Sequence, residues 1–280
     1  MLQVAVCAGA EPEAPVVEVA VDSHVGQSTA PYFTSAFPST SGYGASFVLA
    51  TRLRIARSLQ LGLRVPLVLM RVEQPAGALY AEAAWGNPEL NASFEQPWLE
   101  HDGWSVGLGV SLALGVPLAE HDPAQLAGRA LRLANALEGF SEPGLFTPGV
   151  LPLTPAGGLV LESPRWKFSA SLALPLLFRV SNADLPPESE PQPFGFTPVL
   201  ALEAQLRVLR WLSVAGSSRF TAQAVEPAND PAGAVQVLVA GRVDFHLGEH
   251  VLLSPLVQAP VGGSLGGSTV TGGLGLRVAF

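Results

Sequence analysis

Apolar side chains recur at every second position over long stretches of this chain, the spacing that puts them on one face of a β-strand. Over 47–55, Phe47, Leu49, Leu53 and Ile55 share one face, while Ser46, Arg52 and Arg54 share the other. Over 59–69, the leucines at 59, 61, 63, 67 and 69 and Val65 alternate with Gln60, Gly62 and Arg64. From Trp104 to Val116 the apolar set alternates with Ser, Gly and Ala alone. Over 166–179, Trp166, Phe168, Leu172, Leu174, Leu176 and Phe178 oppose Lys167, Ser169, Ser171 and Arg179. The same pattern returns over 200–208, with Glu203, Gln205 and Arg207 on the polar side, and over 235–246, with Gln236, Arg242, Asp244 and His246. A helix needs apolar residues three and four apart, and these stretches lack that spacing.

A soluble sandwich also alternates, so the connections decide the class. Tight turns fall at Arg57-Ser58, Pro164-Arg165, Arg210-Trp211 and Leu247-Gly248-Glu249, with a slightly longer one near 96–102. Longer Pro-, Gly- and Ser-rich connections lie near 29–43, 119–156, 182–193, 226–232 and 261–268, and a short one near 73–77. Short turns at one end and long loops at the other are the asymmetry of outer-membrane barrels, and the segments number about twelve, an even count as such barrels require. The first strand is expected near 16–27. The expected fold is all-β: a closed antiparallel transmembrane barrel with both termini in the periplasm and one short helix in a long extracellular loop.

Composition narrows the choice further. Hydrophobic residues make up 48% and charged residues 14%, against about 25% charged in an average soluble domain. A soluble surface is hard to cover with so few charges, whereas a lipid-facing wall has no such need. The uncharged runs 104–119, 143–161 and 251–276 are too short or too often broken by Pro and Gly to cross as helices, so any crossing is by strands. The net charge of −8 excludes nucleic acid as the expected partner, since a phosphate-binding footprint is basic. Cys7 is the single cysteine, so no intramolecular disulfide is expected. It lies in a segment ending Ala8-Gly9-Ala10, which reads as the tail of a secretory signal peptide. Residues 1–10 are therefore expected to be a signal remnant, and 11–280 a single barrel domain.

The C-terminus reads Thr269 to Phe280, with Leu274, Leu276, Val278 and Phe280 on one face and Arg277 opposite. This resembles the signal by which bacterial barrel proteins are recognised by their assembly machinery, which implies that machinery and outer-membrane lipid as partners and Phe280 as the assembly signal. Prolines recur late in outward-running strands, in Val65-Pro66-Leu67, Val116-Pro117-Leu118, Leu174-Pro175-Leu176 and Ala259-Pro260-Val261. Proline removes a ladder donor, so these positions should be strand ends or bulges. With Trp85-Gly86-Asn87-Pro88-Glu89-Leu90, the pattern over about 45–280 resembles the transporter-like barrels associated with phenol and meta-pathway degradation.

Two motifs suggest chemistry that their context does not support. His246-Leu247-Gly248-Glu249-His250 matches a zinc-protease pattern, but that chemistry needs a helix, and here the residues join two alternating strands. Gly262-Gly263-Ser264-Leu265-Gly266-Gly267-Ser268 runs into the final strand rather than a helix, so it reads as an external loop and not a phosphate cradle. Neither a metal nor a cofactor is expected, and no catalytic set can be assembled. The polar strand faces are more informative. Arg52, Arg54, Arg64, Lys167, Glu203, Arg207, Arg219, Arg242, Asp244 and Arg277 should point inward, with Glu89 and Glu95 as further acidic neighbours. They form either a salt-bridge network holding the barrel together or a pore lining that favours anions, and the two are compatible. Residues 122–139 carry helix signals, with Asp122 as cap, Pro123 in the first turn and Gly139 at the end. Leu126, Arg129, Leu133 and Leu137 are the constriction candidates if that helix enters the lumen. The expected function is passive or gated passage of a small anionic or hydrophobic solute. The rivals are a barrel enzyme acting on lipid and a sealed structural or surface-binding barrel.

Overall fold

A computed structural model describes residues 16–28, 42–73, 79–119, 126–181, 193–222, 235–263 and 265–280. The expected signal remnant at 1–10 lies outside the described residues, as does most of the 29–43 connection. Alternating residues become fifteen strand segments: β1 (Val17–Ser28), β2 (Gly42–Ala56), β3 (Leu59–Glu73), β4 (Leu79–Trp85), β5 (Glu89–His101), β6 (Trp104–Gly115), β7 (Val150–Glu162), β8 (Trp166–Ala173), β9 (Leu176–Arg179), β10 (Phe194–Phe196), β11 (Val199–Leu209), β12 (Leu212–Ala222), β13 (Val235–Leu247), β14 (Val251–Gly262) and β15 (Thr269–Ala279). Between β6 and β7 lie α1 (Leu126–Leu137) and α2 (Pro143–Phe146).

The segments make a closed antiparallel ring of twelve strands. Each strand pairs with its neighbours in the ring, and β1 pairs with β15 from Glu18 opposite Ala279 to Ser28 opposite Thr269. Three segments do not add to the count, because β4, β9 and β10 continue β5, β8 and β11 across short breaks. The breaks fall at Gly86-Asn87-Pro88, Leu174-Pro175 and Thr197-Pro198, where a missing N–H interrupts the ladder. Proline has the same effect at Pro260, beside a register shift in the β13–β14 pairing.

Two boundaries differ from the pattern-based expectation. The turn expected near 96–102 is a two-residue turn at Asp102-Gly103, both with positive φ. That is the Asp-Gly hairpin, whose backbone twist matches the flanking strands. Strand β5 reaches it despite Pro97, because the register shifts between Pro97 and Leu99. The connection expected at 119–156 ends earlier, since β7 begins at Val150.

Side chains on the outward face of each strand are exposed and apolar: Leu49, Leu61, Val110, Leu112, Leu172, Leu202 and Leu276 among them. All five tryptophans are exposed. Trp98, Trp104, Trp166 and Trp211 gather at the short-turn end, and Trp85 with Tyr43 stands towards the other. Tryptophan and tyrosine sit at headgroup level because one end of each ring system is apolar and the other polar. The start of β1 and the C-terminal Phe280 lie at the short-turn end, which in this class of barrel is the periplasmic side. Phe280 is exposed there, and its backbone exchanges hydrogen bonds with Val17.

A charge placed at mid-depth on the lipid face should be costly. Val110→Arg should lower unfolding free energy in lipid vesicles by about 2–4 kcal/mol, while Ser111→Ala, facing inward next to it, should change it by less than about 1 kcal/mol. Equilibrium denaturant unfolding of the refolded protein measures both.

Candidate functional site

Inward positions on one half of the ring are charged. Arg52 donates from Nη1 to Glu18 Oε1 (2.9 Å), and Arg277 Nε stands 3.3 Å from the same oxygen. Arg64 reaches Glu89 Oε1 at 3.3 Å and also bonds Glu142. Arg242 forks onto Glu203 with two bonds of 3.1 and 3.0 Å and donates from Nε to Asp244 at 2.9 Å. Asp244 accepts further bonds from Gln205 and Ser254. A planar guanidinium suits this bidentate pairing, and pairing is what makes buried charge tolerable. Ser213 Oγ lies 3.3 Å from His246 Nε2.

The opposite half of the wall, on β6, β7 and β8, turns small residues inward. Ser111, Ala113, Thr154, Ala156, Ser169, Ser171 and Ala173 line a cavity of about 410 Å³ that the charged half completes. Short side chains leave this space open, because nothing from that wall reaches across it. Of the ten inward candidates, Arg52, Arg64, Lys167, Glu203, Arg207, Arg219, Arg242, Asp244 and Arg277 line the cavity. Arg54 is half-buried and does not. Glu95 also lines it, as do Arg165 and Glu162 near the periplasmic turns.

The β6–β7 connection folds into the barrel from the other end. Helix α1 lies against the inner wall, where Val48, Val68, Met70 and Ala84 meet Ala130, Leu133, Ala134 and Leu137 in one buried cluster with Leu145 and Phe146. Gly26 and Gly44, cross-strand partners, make a dent for it. A Cβ at Gly44 would stand 2.5 Å from Leu133 Cδ2, and one at Gly26 would stand 2.9 Å from Leu137 Cδ2. Leu265 of the glycine-rich loop packs on Ala136 and Phe140, so this loop turns inward onto the helix.

Leu133 and Leu137 are therefore held between helix and wall and do not line the cavity. The side chains of Leu126 and Arg129 lie outside the described residues, as do residues 122–125. What narrows the lumen is the segment after the helix, since Ser141, Glu142, Pro143, Gly144 and Leu145 border the cavity. Polar ties fix this segment. Glu138 takes a 2.8 Å bond from Ser46 and lies 2.6 Å from His24 Nδ1. Leu137 O accepts bonds from Gln258 and Thr271. Arg219 donates to Ser141 Oγ (3.0 Å). Asn87, fully buried at the β4–β5 break, donates to Gly144 O and Thr147 O and accepts from Ala119 N–H.

Burial pushes the Glu138 carboxyl up, but His24 and the Ser46 bond outweigh it and hold it below the ordinary carboxylate range. Glu142 likewise resists burial through Arg64, with Arg219 nearby, and stays well below that range. Both carboxylates are ionised at neutral pH, at the C-terminal end of α1, where negative charge needs such compensation.

Glu18, His24, Glu138, Ser141 and Glu142 were not among the residues that alternation singled out, because their partners come from distant strands or an irregular segment. One signal was present: Leu67, Val68, Leu69 and Met70 are apolar on both faces of β3, which marks where something covers the inner wall. The zinc-like motif is split by a turn, with Gly248 at φ 78°. His246 faces Ser213 while His250 is exposed. Among the described residues no group of three or more His, Cys, Asp or Glu could hold a metal. Ser213 is buried and inward, not on the lipid face.

Comparison with known proteins bears on the fold. No protein-family model and no curated protein matches the sequence. The COG4313 outer membrane channel from Pseudomonas putida F1 superposes with a TM-score of 0.66 over 97% of each chain, at 14% identity. The NanC porin matches with a TM-score of 0.51 over 92% of this chain and 98% of its own, at 8% identity. The fold is that of bacterial outer-membrane β-barrels. Its apolar wall and tryptophan girdle belong in that bilayer.

The Glu138 tie should show a signed pH dependence. A carboxyl depressed on folding stabilises above its unfolded value, about 4.3 for Glu, and that contribution is lost as pH falls through the folded value. Around it stand His24 and Asp22 from β1, Ser46 from β2, Arg219 from β12 and Glu142. Wild type should be more stable than Glu138→Gln at pH 7 by about 1–3 kcal/mol, and the gap should shrink below pH 4. Denaturant unfolding at the two pH values checks this.

Proposed function

We propose that this chain is an outer-membrane channel passing small solutes that carry negative charge, narrowed by the segment that follows α1. The observation that carries the reading is the cavity's composition. Eight Lys and Arg side chains line it against six Asp and Glu, so this cavity's own lining has a positive excess in a chain of net charge −8. Cationic linings favour anions, and a low-dielectric wall focuses their field. Apart from Glu162 and Lys167 near the periplasmic turns, the small-residue half supplies uncharged room beside the charges. The COG4313 protein, a channel by its name, supports the reading through its fold.

The solute's body is the finer question. The cavity pairs a charged half with a half of methyl, methylene and hydroxyl groups. A small carboxylate with an apolar or aromatic body fits both, and the sequence resemblance to barrels associated with aromatic degradation favours the same class. A lipid hydrolase finds less support, because the Ser213–His246 pair faces the lumen and not lipid.

Refolded protein in planar bilayers should conduct in discrete steps, with a reversal potential in a KCl gradient on the anion-selective side. A variant lacking 126–146 should conduct more. A silent wild type together with an equally silent deletion variant, both shown folded by far-UV circular dichroism, would overturn the channel reading.

A further inference from the structure

The geometry points to a carboxylate-binding site at Arg219, with the Ser141 hydroxyl holding the place of the anion until one arrives. This rests on the channel reading and names the group that would select the solute.

The large cavity meets a second one, of about 60 Å³, beside α1. Arg64, Glu142, Ser217, Arg219, Arg242 and Arg277, with Leu252, border both, so they form the waist between them, and Arg277 pairs with Glu18. Most charges at this waist are already satisfied. Arg64 bonds two carboxylates, Glu89 and Glu142. Arg242 bonds two others, Glu203 and Asp244. Arg219 differs: its hydrogen bond goes to the neutral Ser141 Oγ, and among the described residues no carboxylate stands within ion-pairing distance of it.

A guanidinium carries five N–H donors in a planar fork. One bond to a hydroxyl leaves most of that fork unused, with the cavity on its open side. Ser217 lies two residues earlier on the inward face of β12 and can donate a hydroxyl to the same oxyanion. A carboxylate on Arg219 makes charge-assisted bonds about twice as strong as neutral ones, so it competes well with Ser141. Exchange need not unfold the inserted segment. Ser141 Oγ donates to Glu138 O at 2.7 Å while accepting from Arg219, and keeps the first bond when it loses the second. The Arg64–Glu142 and His24–Glu138 ties also remain. Binding would thus free one of several holds on residues 138–146 and loosen the waist as the anion enters it.

Planar-bilayer recordings on the refolded full chain, with sodium acetate as the probe, test this. Arg219→Gln should cut the chloride-over-potassium permeability ratio at least threefold and abolish acetate-induced flicker. Arg219→Lys should keep most of the ratio but weaken the acetate effect, because a point charge replaces a fork. Ser141→Ala should keep the ratio and strengthen the acetate effect, since the competitor is gone. Arg219→Gln with an unchanged ratio and unchanged flicker would overturn the site while leaving the channel intact. A second readout does not need conduction. In detergent-solubilised protein, the Arg219 Nε–H resonance should shift with acetate in wild type and more steeply in Ser141→Ala. No shift in either overturns the site, even where the protein conducts, and a shift in a silent protein supports the site while the channel reading fails.

Discussion

A backbone that crosses lipid has nowhere to leave an N–H or C=O unpaired, and the rest of this structure depends on that constraint. It requires the β1–β15 pairing that closes the ring, and closure in turn gives every strand one face in lipid and one in the lumen. Alternation follows directly: a one-residue slip would put Arg52, Arg64 and Arg242 into hydrocarbon and the leucines into the lumen. The prolines fit the same logic. Pro88, Pro175 and Pro198 fall at breaks near the outer ends of strands, where a ladder can be interrupted and the freed groups met by a neighbouring strand or, at the first break, by the inserted segment. Asn87 does this at the first break, filling three bonding positions of the β6–β7 connection.

Inside the ring, charge and space are divided between two walls. The charged half pairs much of its charge within itself, because unpaired charge in a narrow lumen is costly. Such pairs are weak evidence for added stability, since desolvation offsets much of their attraction. Their clearer effect is positional. They hold Arg64 and Arg242 in fixed orientations facing a wall whose inward side chains are mostly small. The shape of the lumen comes from this contrast more than from the diameter that twelve strands allow.

Much of this was legible along the chain. Period-two alternation located the strands, the tight turns located one end, and the polar faces of β2, β3, β11 and β13 supplied Arg52, Arg64, Glu203 and Arg242. The Ser, Gly and Ala face of β6 already described the small-residue wall. Less legible were features that depend on which strands become neighbours. Glu18 meets Arg277 only because the first and last strands pair, while Arg52 stands directly opposite it on β2. Helix α1 was visible as an amphipathic stripe, but its apolar face meets the inner wall, so Leu133 and Leu137 became packing residues. The lumen is instead bordered by Ser141–Leu145, an irregular stretch with no periodicity to read. The Asp102-Gly103 turn was obscured by Pro97, which suggested an earlier end to β5 than the shifted register allows.

The inserted segment touches both sides of the seam that closes the ring. Leu137 O is held by Gln258 and Thr271 from β14 and β15, 121 and 134 residues further on, while Glu138 is held by His24 and Ser46 from β1 and β2. These bonds cannot all exist until the last strand has found the first. The plug is therefore a record of completed assembly as well as a narrowing: its docking site is split across a join that forms only when the sheet curls shut. Contacts of such sequence separation form late and slowly. An open, half-built sheet would carry this helix undocked, and the finished barrel gains its final set of ties in the step that removes its two free edges.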